Sequence, residues 1–71
     1  MFEVTEIYHV YGQGRRFRIR FISGLHVNSV FQDEVVTKIF LDNEVVLDVV
    51  EPVAYVLACI EKDCRRESGY A

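Results

Sequence analysis

Residues 15–21, Arg-Arg-Phe-Arg-Ile-Arg-Phe, alternate without a break. In an extended strand Phe17, Ile19 and Phe21 project to one side and Arg16, Arg18 and Arg20 to the other. A helix would scatter both sets around its circumference, so the pattern predicts a strand. Its apolar row is expected to face a core and its guanidinium row to face away. Residues 2–11 (FEVTEIYHVY) are rich in β-branched and aromatic side chains and predict a second strand. Gly12-Gln13-Gly14 breaks the pattern between them, which predicts a hairpin. Two registers compete. A two-residue turn at Gln13-Gly14 pairs Val10 with Phe17, Tyr8 with Ile19 and His9 with Arg18, and buries more aromatic surface. A three-residue loop pairs Ile7 with Ile19 and sets Glu6 across from Arg20, gaining an ion pair. The first register is preferred.

Ser23-Gly24 marks a turn. In residues 25–31, Leu25, Val27 and Phe31 alternate like a short strand. Ser29 with Gln32 three positions on has the form of a capping box, which would start a helix instead. The β-branched Val35-Val36-Thr37 run that follows is a poor helix, so strand or extended chain is favoured for 25–34. Residues 35–50 read as a hairpin with Asp42-Asn43-Glu44 as its loop. Thr37, Ile39, Leu41, Val45, Leu47 and Val49 then share one face, and Lys38 opposes Asp48 on the other. Glu51-Pro52 has the form of a helix start. Val53, Val56, Leu57, Ile60 and Cys64 make one apolar stripe along a helix over 52–67, with a Glu61–Arg65 pair on its surface and Gly69 as its stop.

The elements predict a single domain over residues 1–71 of α+β class. A small antiparallel sheet of four to five strands carries one C-terminal helix on one face. One helix cannot cover both faces, so an open face or edge is expected to seek a partner or a second copy.

Composition sharpens this picture. Hydrophobic residues make up 51% of the 71 positions and aromatics 13%, which excludes a disordered chain and leaves apolar surface to spare. The formal net charge is −3, so any attraction to nucleic acid must be local, and Arg15, Arg16, Arg18 and Arg20 supply half of the 8 basic residues. Nucleic acid is therefore not the expected partner. No membrane span or leader pattern is read, and the two cysteines read as reduced thiols, so a cytoplasmic setting is expected. Cys59 and Cys64 are five apart on a helix and cannot share a metal or bond to each other there. Cys64 falls on the apolar stripe and Cys59 off it.

No catalytic constellation is found, because nothing in the sequence ties His9 or His26 to Cys59 or Cys64. No cofactor or metal site is expected and the chain is not read as an enzyme. Gly12-x-Gly14 lacks the third glycine and the following helix of a dinucleotide fingerprint; it reads as a turn, or as an anion nest below Arg15 and Arg16. The expected function is a small protein-interaction module, an adaptor or inhibitor of a larger protein, working as a homodimer. Its partner-binding residues are expected to be Arg15, Arg16, Arg18, Arg20, Tyr11 and His9; the competing reading of the arginine row is internal pairing with Glu3, Glu6 or acids of a neighbouring strand, or plain charged surface. In size and element order it is similar to small phage- or plasmid-encoded regulators, a likeness of shape without a motif. Alternatives are a nucleic-acid binder using the basic strand, with Tyr8, Tyr11 and Phe17 as stacking platforms, and a binder of a small anionic ligand over 12–20. Reversing Arg16, Arg18 and Arg20 together is expected to spare the fold.

Overall fold

The structure, a computed structural model, describes the backbone of residues 1–68 and the side chains of residues 1–65. The chain is an α+β fold. Five strands form one antiparallel sheet: β1 (Phe2–Val10), β2 (Gly14–Ile22), β3 (Val27–Gln32), β4 (Thr37–Leu41) and β5 (Val46–Val49). They lie in the order β2-β1-β5-β4-β3, with a 3₁₀ turn at Gly24–His26 and the C-terminal helix α1 (Val53–Ser68).

The core sits between α1 and the inner face of the sheet. Phe2, Val4, Ile22, Ile39, Leu47, Val49 and Val56 form it, and Val27, Val30, Leu41, Cys59 and Ile60 pack against its margin. The β4–β5 hairpin has the register expected from the sequence: Thr37 pairs with Val49, Ile39 with Leu47 and Lys38 with Asp48. Its loop is held by the Asn43 side chain, which accepts from Val45 N at 3.2 Å, and Glu44 takes a left-handed φ of 69°. Buried Thr37 donates its hydroxyl to the Glu51 carbonyl at 2.7 Å, so it carries no unsatisfied group into the core.

Two groups complete β1 where β5 ends. The Thr5 N–H donates to both carboxylate oxygens of Glu51, at 2.8 and 3.0 Å, and the Tyr55 hydroxyl donates to the Glu3 carbonyl at 3.0 Å. Glu51 therefore stitches the helix entry to the sheet rather than capping α1. The helix begins at Val53, one residue after the expected Pro52.

The helix stripe is rotated from the sequence expectation. Val56 is fully buried and Cys59 and Ile60 pack against the core, while Leu57 is 50% exposed and Cys64 is exposed. The two thiols thus exchange roles. The cause is Asp63, which follows Val56, Cys59 and Ile60 on the inward face and is itself buried. It accepts from Gly24 N at 2.9 Å and pairs with the Met1 ammonium at 2.8 Å, and these bonds turn that face toward the 3₁₀ turn. The Glu61–Arg65 pair forms at 3.2 Å. The expected stop at Gly69 lies outside the described residues.

Segment 25–34 divides. Leu25 belongs to the 3₁₀ turn, capped by Ser23, and the strand begins at Val27 and carries a bulge between Val27 and Ser29. The molecule measures 50 × 21 × 19 Å. A single residue pair, Glu6 with Val49, joins β1 to β5, so the β1–β2 hairpin forms an arm whose far half extends past the rest of the sheet.

Candidate docking surface on the hairpin arm

The arm is built from two nine-residue strands and a three-residue turn over Tyr11, Gly12 and Gln13. The Gln13 N–H donates to the Val10 carbonyl at 2.9 Å. Gly12 and Gly14 both sit at φ 80°, a region that costs other residues steric strain, which is why glycine occupies both. The loop is centred on Gly12, nearer the N-terminus than the centre at Gln13 of the expected three-residue loop and than the expected two-residue turn at Gln13-Gly14. Val10 pairs with Gly14, Tyr8 with Arg16, Ile7 with Phe17, Glu6 with Arg18, Val4 with Arg20 and Phe2 with Ile22. Both expected registers are therefore corrected.

The facing of β2 is corrected as well. Its base is decided by Ile22, which is buried beside Phe2 in the core. Strand alternation then carries Arg20, Arg18 and Arg16 along the inner, helix-bearing side, and turns Phe21, Ile19 and Phe17 outward. Phe17, Ile19 and Phe21 are 55, 51 and 64% exposed. The arginines avoid the core because α1 covers only the base of the arm. Glu6, buried on this inner side, replaces an apolar contact: Arg18 Nε donates to Glu6 Oε1 at 2.8 Å and Arg20 Nη1 to the same oxygen at 3.2 Å. The Arg18 guanidinium also lies over the Tyr8 ring, 4.4 Å from its centroid. The hydrogen bond to Glu6 raises the Arg18 pKa above its ordinary value, against partial desolvation and with help from the Glu6 and Tyr8 charges. Arg16 Nη2 donates to Gln13 Oε1 at 2.8 Å.

The six residues singled out from sequence thus share one arm but not one face. Arg16, Arg18 and Arg20 form the inner row. Arg15 and His9 pair across the outer face, and Arg15 makes no ion pair among the described residues. Tyr11 stands fully exposed at the turn. Sequence reasoning missed that Phe17, Ile19 and Phe21 belong to the exposed surface; a Glu6 partner for the ladder is among its alternatives, and the structure has it at Arg18 and Arg20. The signal was present in β1: Glu6 shares the parity of Phe2 and Val4, so the side that holds the core also holds the acid.

The outer face continues across the sheet. Ile7, buried but outside the core cluster, lies on it opposite Phe17. Phe31 stacks on Phe40 with ring centroids 5.3 Å apart, and Lys38 Nζ meets Asp48 Oδ1 at 2.8 Å.

Elsewhere the chemistry is already engaged. An open pocket of about 470 Å³ lies between the end of β2 and the β4–β5 loop, with Arg20 and His26 on its wall. Arg20 is held by Glu6, and His26 Nδ1 lies 3.0 Å from Asp42 Oδ2. Among the described residues no group of three or more His, Cys, Asp or Glu could hold a metal ion. No helix of the described residues is long and apolar enough to cross a membrane. No protein-family model, curated protein or solved structure matches the chain.

Proposed function

We propose that this chain is a small protein-interaction module, an adaptor or inhibitor that engages a larger protein with its β1–β2 arm. One observation carries the reading: β2 leaves Phe17, Ile19 and Phe21 more than half exposed on a strand whose other side is a row of arginines. Three large apolar side chains in one exposed row are costly in water, and covering them against a partner recovers about half of the roughly 1.5–3 kcal/mol that full burial of each is worth. Arginine and aromatic side chains are the types that dominate protein interfaces.

Nucleic-acid binding is less well supported. Arg18 and Arg20 already share the Glu6 carboxylate, and the net charge of −3 opposes a polyanion. An anionic ligand on the arm meets the same competition from Glu6. The helix surface around Tyr55, Cys59 and Lys62 is a poorer candidate, since Tyr55 is tied to β1 and Cys59 packs against the core.

The test uses the chain as bait in a lysate, followed by direct titration with whatever protein it captures. Phe17→Ser with Phe21→Ser is expected to keep the circular dichroism spectrum and lose the captured protein. A captured protein that binds wild type and variant equally, in a saturable titration, refutes the arm as the docking surface.

A further inference from the structure

We propose that the outer edge of β2 receives an extended segment of the partner protein as a sixth strand, and that this segment alternates acidic with apolar residues. The inference rests on the interaction reading and specifies its mode.

The edge is open. β2 ends the sheet, and no loop or side chain among the described residues bonds to its backbone between Arg15 and Phe21 beyond the β1 ladder. The opposite edge is guarded: β3 is six residues long, carries a bulge and packs against α1. An incoming strand would run about 4.8 Å from β2 and place its side chains roughly 5 Å from those opposite, within ion-pair reach of a guanidinium.

Charge decides the occupant. On the inner side Arg16, Arg18 and Arg20 have one carboxylate between them, and Arg18 and Arg20 both use its Oε1. Arg16 has only the neutral Gln13. Two positive charges on this row are therefore uncompensated, and their side chains recur every second residue, roughly 6.6–6.8 Å apart, the spacing of acids on a facing strand. On the outer side Phe17, Ile19 and Phe21 call for apolar residues at the intervening positions. A second copy of β2 fits poorly, because its own arginines would oppose these across the new ladder. Main-chain hydrogen bonds would supply affinity and the two side-chain rows specificity.

The test measures fluorescence anisotropy of a labelled peptide of alternating Glu and Val, of about nine residues, at about 50 mM salt. Controls are a peptide of the same composition with its Glu and Val in two blocks, and one alternating Lys with Val. The alternating acidic peptide is expected to bind about tenfold or more tighter than either control. N-methylation of alternate residues in one phase should abolish binding, and in the other phase leave it, because only one set of amides faces β2. Arg16→Glu should weaken binding severalfold without changing the circular dichroism spectrum. Equal binding of alternating and blocked acidic peptides overturns the proposal in favour of plain charge attraction. Equal effects of the two N-methylation phases overturn it in favour of a side-chain contact. No binding at millimolar peptide overturns it and leaves the arginines as an edge guard only. If the peptide fails while the captured protein still depends on Phe17 and Phe21, strand addition falls and the interaction reading stands; if both fail, both fall.

Discussion

Glu6 and Arg18 face each other across the β1–β2 ladder, the carboxylate buried and the guanidinium at its rim, with Arg18 Nε 2.8 Å from Glu6 Oε1. The acid is the element that lets the arginine row lie on the helix side. Removing it frees two guanidiniums that can turn to water, so Glu6→Ala should cost only about 1 kcal/mol in chemical denaturation. Arg18→Glu should cost more, because it sets a second carboxylate against one that is already desolvated. Arg16→Glu, which loses only the Gln13 bond, should be nearly silent. Reversing the whole ladder is therefore expected to damage the fold, contrary to the sequence expectation. Equal stability of Arg16→Glu and Arg18→Glu variants would contradict the Glu6 assignment.

Ile39 and Phe21 test which side of the sheet is the inside. Ile39 is fully buried and Phe21 is 64% exposed. Ile39→Ala should cost about 2–5 kcal/mol, a large share of the roughly 4–10 kcal/mol typical of a domain this size. Phe21→Ser should change stability by no more than about 0.5 kcal/mol. Urea titrations followed by circular dichroism rank the two; a large loss on Phe21→Ser would restore the facing read from sequence.

The contrast between the two hairpins shows what the sequence makes legible. In β4–β5 the apolar face and the Lys38–Asp48 pair select the same register, and the structure has it. In β1 both parities carry apolar side chains, Phe2, Val4 and Tyr8 on one and Ile7 on the other, so alternation alone assigns no inside. The decision is made by Ile22 and by where α1 ends its coverage, both tertiary facts. Likewise the Cys59 and Cys64 exchange depends on a buried Asp63, and an acid that bonds a backbone N–H across the chain leaves no periodic trace. The arginine cluster and Glu6 as a candidate partner were visible in the sequence; which side carries the apolar row required the register.

Gly24 and Asp63 give a third test. A Cβ added at Gly24 would lie 3.0 Å from both Asp63 Cβ and Ile60 Cα, and the second of these is backbone that cannot swing away. Gly24→Ala should therefore cost about 1–3 kcal/mol. Asp63→Ala should cost a similar amount by leaving the Gly24 N–H and the Met1 ammonium without their shared acceptor. Thermal melts of the two single variants and the double variant check this. Because the two sites touch, the double variant should lose less than the sum.

Alkaline pH should destabilise the fold. The bond to Asp48 raises the Lys38 pKa above its ordinary 10.5, against desolvation, and the neighbouring Cys59 thiol, then burial, raises that of Tyr55 above 10.0. A group whose folded pKa is raised contributes stability that is present below its unfolded pKa and lost as pH climbs through the folded one. The melting temperature should therefore hold between about pH 7 and 9 and fall above about pH 10. Lys38→Met and Tyr55→Phe should each flatten that fall in scanning calorimetry. A melting temperature that rises above pH 10 would reverse the sign and sink the assignment.

Self-association should strengthen with salt. Two copies meeting edge to edge at β2 would bring Arg16, Arg18 and Arg20 of each against those of the other, with one Glu6 per copy to offset them. Two copies meeting through the outer face would bury Phe17, Ile19 and Phe21 but would still approach with a net charge of −3 each. In both geometries the apolar gain is opposed by like charge, and screening weakens only the repulsion: the Debye length falls from about 30 Å at 0.01 M to about 8 Å at 0.15 M salt. Light scattering over a concentration series at these two ionic strengths should therefore show the monomer favoured in low salt and the dimer in high salt. Phe17→Ser with Phe21→Ser should remove the association in high salt. A dimer that instead dissociates as salt rises would mean that the copies are held by opposite charges, with the arginine row of one copy on an acidic surface of the next, and the repulsive reading of the β2 edge would be wrong.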